Sequence, residues 1–304
     1  MMKDHISICI CTYRRNRMLQ KLLGTLAHQE THGLFDYSIV VVDNDVGRHA
    51  EKSVAAAGDE LGVEITYGVE EERTIPAARN HALRLARGNY IAIVDDDELA
   101  PACWLLHLYR GIQTFGVDGA LGPVHPFFEQ QPPQWLIRSR LCERPTLRTG
   151  TLLHWDDTRT GNVLLKRSVF DVHDLQFDPS FRTGGSDREF FKQAMGKGCR
   201  FVAIDEAPVY EMVPPERWEK SYYFRRALVN GANAYRISLD RTSRASRIML
   251  MMKSIVALFG YAVVLPPARL RGSHVAVVCT VKGLHHLSRV LTMCGLEPLK
   301  KRNF

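Results

Sequence analysis

Four consecutive carboxylates, Asp95 to Glu98, follow the apolar residues of the stretch IAIVDDDELA. Adjacent negative charges repel one another, so such a run needs solvent or a cation to compensate it. Mg²⁺ and Mn²⁺ prefer oxygen ligands and share their coordination shell with water and substrate phosphates. In an extended chain Asp95 and Asp97 point to the same side, with Asp96 turned away. The run therefore predicts a divalent-cation site, and a solvated acidic turn before the next helix is the alternative.

Two other polar clusters also follow apolar runs, and their residue types suit a nucleotide. Thr12, Tyr13 and Arg14 come after ISICIC, and Asp43 comes after YSIVVV. A hydroxyl and an aromatic ring can hold a nucleobase, and a carboxylate can accept hydrogen bonds from a base or a ribose. Arg79 is a fixed cation near the expected phosphate position. Taken singly, each of these residues is equally typical of a turn or a helix surface.

The elements that must position these groups alternate between apolar runs and amphipathic segments. The runs are unbroken, which is typical of parallel strands covered on both faces. The pattern predicts a doubly wound α/β sheet, in which polar residues at the carboxyl ends of the strands meet in one crevice. Strands are predicted at 6–11, 37–42, 63–68 and 90–94, and helices at 16–29, 49–61, 76–88 and 101–115.

The chain from residue 119 onwards is less regular. Residues 129–148 are predicted to form a loop or lid, 201–213 a strand, and 215–237 a helix. Asp187 begins another helix, directly after Gly184 and Gly185 in the stretch GGSDRE. It is therefore either a helix cap or a site residue, because paired glycines let the backbone approach a ligand closely.

Composition and charge narrow the class of protein. The chain has 304 residues, of which 45% are hydrophobic and 24% are charged, as in ordinary folded proteins. Its seven cysteines contain no CxxC pair, and its first residues do not resemble a signal peptide, so we expect reduced thiols in the cytosol. Residues 212–304 carry 16 Lys and Arg against 4 Asp and Glu. This basic region predicts an anionic partner surface, either nucleic acid or lipid.

The most apolar stretch is 248–265, which Pro266 and Pro267 are expected to end. An apolar stretch with basic flanks is typical of a helix that lies in a membrane interface. A spanning helix, or a pair of core helices packed on the body, are the alternatives. The flanking cations are Arg241, Arg244, Arg247, Arg269 and Arg271.

Six segments of the chain match one known family in order: ISICICTYRR, YSIVVVDND, IPAARNHALRLARGNYIAIVDDDELAP, TGNVLLKR, GGSDREFFKQAMGKG and VYEMVPPERW. Through them the sequence resembles the family 2 glycosyltransferases over roughly residues 5–235. This resemblance implies a GT-A fold, which is an α/β fold with a Rossmann-like, mostly parallel central sheet flanked by helices. The C-terminal part looks like bacterial exopolysaccharide-assembly members of the succinoglycan type, with a helical membrane-associating extension.

The resemblance also implies roles for individual residues. Asp187 is the general base on the acceptor hydroxyl, although Ser186 replaces the glutamate that usually precedes it. Asp97 and Asp95 are metal ligands, and Glu211 takes the place of a histidine that completes the metal site in many members. The implied nucleotide-binding residues are Thr12, Tyr13, Arg14, Asp43, Arg79, Asp95 and Asp96. The implied phosphate or acceptor contacts are Arg217, Arg225, Gly185 and Asn162.

These inferences combine into one expected function. We expect an inverting glycosyltransferase that depends on Mg²⁺ or Mn²⁺. It would move a sugar from a UDP- or GDP-sugar to a lipid-linked glycan acceptor in bacterial surface or exopolysaccharide synthesis. Residues 1–118 would bind the donor, 119–240 the acceptor, and 241–304 the anionic cytoplasmic face of the inner membrane, with 248–267 lying on it or crossing it. A non-catalytic nucleotide-sugar-binding or scaffold protein is the alternative.

Other classes of protein fit the sequence less well. No GxGxxG follows the first strand, which disfavours a dinucleotide-dependent oxidoreductase. The turn TYRRNRML contains no glycine, whereas a sugar nucleotidyltransferase would need a glycine-rich loop there. The basic region is expected to meet lipid rather than nucleic acid, because it accompanies apolar helices.

Overall fold

A computed structural model of the chain describes residues 3–181, 184–239 and 244–296. Within that part the strands are β1 (Asp4–Thr12), β2 (Phe35–Asp43), β3 (Ile65–Val69), β4 (Tyr90–Ile93), β5 (Glu98–Leu99), β6 (Gly119–Leu121), β7 (Val124–Phe127), β8 (Val163–Lys166), β9 (Phe201–Ala203) and β10 (Val209–Met212). The helices are α1 (Asn16–Leu26), α2 (Glu51–Leu61), α3 (Ile75–Leu85), α4 (Trp104–Phe115), α5 (Gln134–Ser139), α6 (Ser168–Asp171), α7 (Ser186–Gly196), α8 (Lys220–Leu239), α9 (Arg244–Arg271) and α10 (Ser273–Met293).

The chain divides into two compact units. The first unit consists of Met1–Phe127 with Arg144–Met212, and the second of Phe128–Glu143 with Val213–Phe304. The described strands all belong to the first unit, whereas α5 and α8 to α10 belong to the second. The functional boundaries expected at 118 and 240 stay a prediction, because they concern ligands.

The central sheet of the first unit joins strands in the order β3-β2-β1-β4-β8-β6-β9. Four of its neighbouring pairs are parallel, and β8 runs antiparallel to both of its neighbours. Ile6, Ile8 and Ile10 pack into one apolar cluster, while Cys9 of the same strand packs into a second cluster. Both faces of β1 are therefore buried, which explains why its sequence is unbroken rather than alternating. The predicted α/β class with a mostly parallel sheet is confirmed.

A smaller sheet of the first unit joins β5, β10 and β7. The expectation of one continuous strand over 201–213 is wrong, because β9 and β10 lie in different sheets. The residues between them include Asp205 and Pro208, and neither type is favoured in a strand interior. The break has a consequence for the site, because β10 pairs with β5 and places Glu211 directly opposite Glu98.

Three further expectations need correction at their boundaries. The segment expected to be a loop or lid at 129–148 contains α5. The helix expected at 215–237 begins with a separate 3₁₀ turn at Pro215–Arg217, and α8 starts only at Lys220. Likewise α4 begins at Trp104 and not at residue 101. Glu98 precedes this helix and lies in β5.

The second unit is built mainly from α8, α9 and α10, with α10 packed against both other helices. The backbones of α8 and α10 come very close at Gly231, where an added Cβ would lie 2.2 Å from the carbonyl oxygen of His285. Only glycine permits this approach. The described residues 244–296 cover most, but not all, of the extension expected at 241–304.

Helix α9 is the apolar stretch of the sequence analysis, and it does not end at Pro266. It continues through both prolines to Arg271. A proline inside a helix removes one backbone hydrogen bond, but the buried Ala268 shows that the next turn is held by packing. In the described part of the chain, Ala245–Arg271 is the one helix whose length and mean hydropathy of 2.2 would allow it to cross a membrane.

Candidate active site

The predicted convergence of the polar clusters is confirmed at the carboxyl edge of β1, β2 and β4. Thr12 is in register with Asp43, and the Thr12 hydroxyl donates a 2.8 Å hydrogen bond to Asp96. Arg15 lies 2.9 Å from Asp96 and 3.2 Å from Asp97. One short loop after β1 therefore connects to the acidic run after β4.

The same loop also reaches the cluster after β2. The Arg14 guanidinium pairs with the buried Asp45 at 2.6 Å and lies 5.2 Å above the exposed ring of Tyr13. The hydrogen bond from Arg14 lowers the pKa of Asp45 to about 2, so this carboxylate stays charged at any working pH. An accessible aromatic ring next to a fixed cation is an arrangement on which a planar base can stack.

Asp43 is completely buried and organises the turn that follows β2. Its carboxylate accepts hydrogen bonds from the backbone N–H groups of Asp45 and Ala50 and from the hydroxyl of Tyr67, at 2.9 to 3.2 Å. The predicted contact with a base or ribose stays a prediction. In the structure this carboxylate stabilises the loop that carries Asp45.

The four carboxylates of the acidic run have four different environments. The side chain of Asp95 is 45% exposed, whereas Asp96, Asp97 and Glu98 are buried. Because β4 ends at Ile93, the run lies in a turn, and Asp96 points inward to Thr12 instead of away from the site as expected. Glu98 accepts the backbone N–H of Asp95 at 2.9 Å and so closes the turn.

The electrostatics of this turn show an excess of negative charge. Desolvation raises the pKa of Asp95, as do the carboxylates of Asp97 and Asp187, while Arg79 opposes the shift. Burial, and then the charge of Asp95, raises the pKa of Glu98 well above the usual glutamate range. Carboxylates in this situation are stabilised by an added cation.

Arg79 links the acidic run to the predicted base. Its guanidinium is buried, pairs with Asp187 at 2.6 Å and lies 3.5 Å from Asp95. Burial alone would lower the pKa of Arg79, but the two carboxylates outweigh it and raise the pKa. Arg79 belongs to α3. The first turn of this helix is capped by Thr74, whose hydroxyl accepts the N–H of Ala77 at 3.3 Å.

Asp187 lies in the first turn of α7 with its side chain 29% exposed. The cap alternative is wrong, because Gly185 occupies the N-cap position with φ 101° and no side chain caps the helix. The second carboxylate oxygen of Asp187 accepts a 2.8 Å hydrogen bond from Thr160. Burial raises the pKa of Asp187, but Arg79 and then Thr160 lower it more, so the group is an anion at neutral pH.

Glu211, the third predicted metal ligand, forms an ion pair with Arg144. Nearby, Arg159 has a buried Nε atom that lacks a hydrogen-bond partner among the described residues. Burial and the charge of Arg144 lower the pKa of Arg159, and the carboxylates of Glu98 and Glu211 oppose this. The acidic cluster thus has a basic border along its Glu211 side.

The residues present fit a divalent cation that completes its shell with other ligands. The described residues contain no group of three or more His, Cys, Asp or Glu side chains already placed to hold a metal ion. However, a Cβ at Gly161 would lie 2.9 Å from Asp95 and 3.0 Å from Glu98, so the glycine leaves room beside these carboxylates. Mg²⁺ is commonly held by one or two carboxylates plus water and phosphate oxygens.

Three further residues were predicted to contact phosphate or acceptor. Asn162 is fully buried and bonds to Trp104, to the carbonyl of Pro123 and to that of Ala207, so its role is structural and not that of an acceptor contact. Arg217 and Arg225 belong to the second unit, and their predicted contact with phosphate stays a prediction.

Four polar residues of the site were missed by the sequence analysis. They carry no periodic signal, because each lies in a loop whose position depends on the tertiary fold. Arg15 and Thr160 belong to the matching segments ISICICTYRR and TGNVLLKR, which could have suggested them, whereas nothing in the sequence distinguishes Arg144 and Arg159 from surface charges. The four are Arg15, Arg144, Arg159 and Thr160.

Known proteins resemble this chain over most of its length. The family model described as "Glycosyl transferase family 2" matches residues 7–173. The succinoglycan biosynthesis protein ExoM of Rhizobium meliloti (strain 1021) is 30% identical over 247 residues, which are 78% of this chain and 76% of that protein. Chondroitin synthase of Escherichia coli is 25% identical over 248 residues, 70% of this chain, but this chain matches only 35% of that longer protein.

Solved structures extend the likeness to nearly the whole chain. The crystal structure of S. aureus TarS 1-349 in complex with UDP-GlcNAc matches with a TM-score of 0.55 and 15% identity, covering 97% of this chain and 93% of that one. The same TarS fragment in complex with UDP matches with a TM-score of 0.54 and 16% identity, covering 97% and 92%. At these identities the likeness establishes the fold alone.

Proposed function

Because the chain belongs to glycosyl transferase family 2 and is a glycosyltransferase, we propose that it is a metal-dependent, inverting enzyme. Its donor is a UDP- or GDP-sugar, and its acceptor is a lipid-linked glycan in bacterial surface or exopolysaccharide synthesis. The observation that supports this most directly is Arg79, whose guanidinium contacts both Asp95 and Asp187. One cation thereby ties the proposed metal ligand to the proposed base.

The donor nucleotide is held at the carboxyl edge of the sheet. The exposed ring of Tyr13 provides a surface for the base, and Arg14 stands over that ring. TarS, which shares the fold, has been crystallised with UDP and with UDP-GlcNAc. That likeness supports a nucleotide-sugar donor for this chain and leaves the identity of the sugar open to assay.

Asp97 and Asp95 would hold a divalent cation. Glu211 is a further candidate ligand, and it would first have to leave its ion pair with Arg144. When bound, Mg²⁺ or Mn²⁺ neutralises the diphosphate and stabilises the departing nucleoside diphosphate. Arg15 and Thr12 keep the acidic turn in place through Asp96. The pKa of Asp95, raised by desolvation and by its neighbouring carboxylates, is consistent with a site that is more stable with a cation.

Asp187 takes the proton from the acceptor hydroxyl while that oxygen bonds to the anomeric carbon. The bond from that carbon to the diphosphate oxygen breaks in the same step, and the electron pair leaves with the nucleoside diphosphate. Attack opposite the leaving group inverts the configuration. Arg79 and Thr160 orient the carboxylate of Asp187 and keep it deprotonated.

The acceptor is presented at a membrane. Along α9 the exposed apolar side chains Val256, Phe259, Val263 and Leu270 form a stripe, and the last turn carries Arg269 and Arg271. Such a helix lies in the plane of an interface, with its cations among anionic headgroups. We place the protein on the cytoplasmic face of the inner membrane, where a lipid-linked acceptor is within reach.

Release of nucleoside diphosphate tests the assignment. A panel of UDP- and GDP-sugars, with and without Mg²⁺ or Mn²⁺ and with lipid-linked acceptors, should give metal-dependent release for at least one donor. The substitution Asp187→Asn should reduce turnover by about 10²–10⁴-fold, the usual worth of a general base, and leave nucleotide binding intact.

The matched control is Asp59→Asn on the exposed surface of α2, which should retain full activity. Full activity of Asp187→Asn would refute the base assignment. Nucleotide binding without any turnover across the whole panel would instead favour the non-catalytic alternative.

A further inference from the structure

The second unit contains a cavity of about 480 Å³ between its helices. This volume is within the range of small-molecule binding pockets. Every described side chain around it belongs to the second unit, and none of them belongs to the carboxylate site described above. Its lining is Leu141, Tyr223, Arg226, Ala227, Asn230, Tyr261, Val281, Lys282, His285 and His286.

The polar lining of this cavity is cationic. Arg226 from α8 and Lys282 from α10, both exposed at the mouth of the cavity, bring two positive charges, and the described lining residues include no carboxylate. A third cation, Arg289, lies 2.9 Å from His285 through its Nη2 atom. Helices that bring several cations together without an acid are stabilised by a bound anion.

Two buried nitrogen atoms next to the cavity lack partners. The Nδ1 atom of His286 and the Nε atom of Arg289 make no hydrogen bond with any described residue. A buried polar group without a partner costs about 1–3 kcal/mol. Both atoms are closed off from solvent, so they add unpaired polar groups to the helix packing behind the cavity and do not themselves face its interior.

The rest of the lining is aromatic and apolar. Tyr261 of α9 stacks on His286 with ring centroids 6.0 Å apart and an interplanar angle of 20°. The Tyr223 hydroxyl lies 2.9 Å from the sulfur of Cys142, and Leu141 and Val281 add aliphatic surface. A ligand that matches both halves of the cavity carries an anionic group attached to an apolar or ring-bearing part.

Helix α9 indicates how deep this cavity lies relative to a membrane. Tyr261 lines the cavity, whereas Phe259 and Val263, two positions away on either side, are exposed. Residues two apart lie on opposite sides of a helix. If the exposed stripe enters a membrane interface by about 5–10 Å, Tyr261 on the opposite side lies at the level of the headgroups.

We propose that this cavity binds the phosphate group of an amphiphile, with Arg226 and Lys282 holding the phosphate and Tyr261 and Val281 contacting the part that leads to the acyl or prenyl chain. This site extends the proposed function, since it rests on membrane association but not on glycosyl transfer. The same phosphate chemistry occurs in a lipid-linked glycan, in a phospholipid and in free phosphate, so the ligands tested must separate these sources.

Calorimetric titration of the full-length protein in nonionic detergent tests the site. The probes are dihexanoyl phosphatidic acid, dihexanoyl phosphatidylcholine and inorganic phosphate, all without sugar donor. Phosphatidic acid should bind at least about 10-fold more tightly than the other two. Arg226→Gln and Lys282→Gln should each weaken its binding about 10-fold, the usual worth of a charged hydrogen bond.

The matched control is Arg138→Gln, which removes the same charge from the exposed surface of α5 in the same unit. It should bind phosphatidic acid like the unaltered protein. Equal affinity of all three variants, or binding of inorganic phosphate as tight as that of phosphatidic acid, would overturn the proposal.

Parallel measurements keep this result separate from the proposed function. Flotation with vesicles of phosphatidylglycerol reports membrane association, and donor turnover reports catalysis. Loss of phosphatidic acid binding in Lys282→Gln with normal flotation would support a headgroup site distinct from general membrane attachment. Normal turnover of the unaltered protein without any lipid phosphate binding would refute the cavity proposal and leave glycosyl transfer intact.

Discussion

The two units of this protein cluster charged side chains in opposite ways. In the first unit, carboxylates gather at one edge of a parallel sheet, and Arg79, Arg15 and Arg144 each pair with one or two of them. In the second unit, Arg226 and Lys282 line a cavity, and no acid is found among its described lining residues. The carboxylate cluster of the first unit thus has an excess of negative charge that a metal ion would neutralise. The cavity of the second unit has an excess of positive charge that a phosphate would neutralise.

This difference shows that net charge is less informative than its distribution. The whole chain carries a formal charge of +7, which by itself would suggest only an anionic partner. The structure separates an acidic site on rigid strand ends from a basic site between helices. Substitutions that alter one charge excess and leave the other unchanged can test this separation.

The largest effect is expected at Asp97. Removing this proposed metal ligand should lower metal-dependent turnover by about 10³-fold, because a bound ion would supply several kcal/mol of charge stabilisation. Asp97→Ala can be compared with Asp96→Asn, which keeps an oxygen acceptor for the Thr12 hydroxyl and should lose much less. Turnover measured against metal concentration checks both, and equal losses would contradict the distinction.

The next effect concerns Arg79 and has a defined direction with pH. Arg79 lowers the pKa of Asp187, so the carboxylate stays charged to a pH below the usual aspartate value of about 3.9. The folding stability that the Arg79–Asp187 pair contributes is fully present above the usual aspartate pKa. It is lost as the pH falls through the lowered pKa of Asp187.

Arg79→Met should therefore move the acidic limb of the turnover–pH profile to higher pH, reduce turnover by about 10²-fold and cost about 2 kcal/mol of folding stability. The control is Arg84→Met on the exposed side of the same helix. An acidic limb that stays in place would show that Asp187 does not depend on Arg79.

A smaller effect is expected for the exposed apolar side chains of α9 in the second unit. Val263→Asp in α9 should lower vesicle flotation about 30-fold, because it removes about 2 kcal/mol of apolar burial. Val172→Asp in the first unit is a close control, since the two valines are 74% and 72% exposed. If both substitutions lowered flotation equally, α9 would not be the attachment surface.

The smallest effect is expected at Gly161. An added methyl group would lie within 3.0 Å of Asp95 and Glu98, so Gly161→Ala should displace these carboxylates and weaken metal affinity about 10-fold. Gly58→Ala is the control, because nothing lies within 4 Å of its added Cβ. Unchanged metal affinity in Gly161→Ala would place the cation away from Asp95.

The sequence predicted those parts of the site that depend on local pattern. Apolar runs followed by polar residues identify strand ends, and parallel strands bring Thr12, Asp43 and the acidic run to one edge. The orientation of Asp96 could not be predicted, because alternation along a strand fails where the strand stops at Ile93. Arg144 and Arg159 could not be predicted either, since only the tertiary fold brings their loops to Glu98 and Glu211.

The two prolines within α9 also determine how that helix can lie in lipid. Pro266 and Pro267 have no N–H to donate to the carbonyl oxygens of Ala262 and Val263, four residues earlier. In hydrocarbon, an unbonded carbonyl costs several kcal/mol, whereas water or a headgroup can donate to it. The turns of α9 around the two prolines should therefore lie at the level of the headgroups and not in hydrocarbon, so a polarity-sensitive fluorophore at Leu270 would report a more aqueous environment than one at Val256.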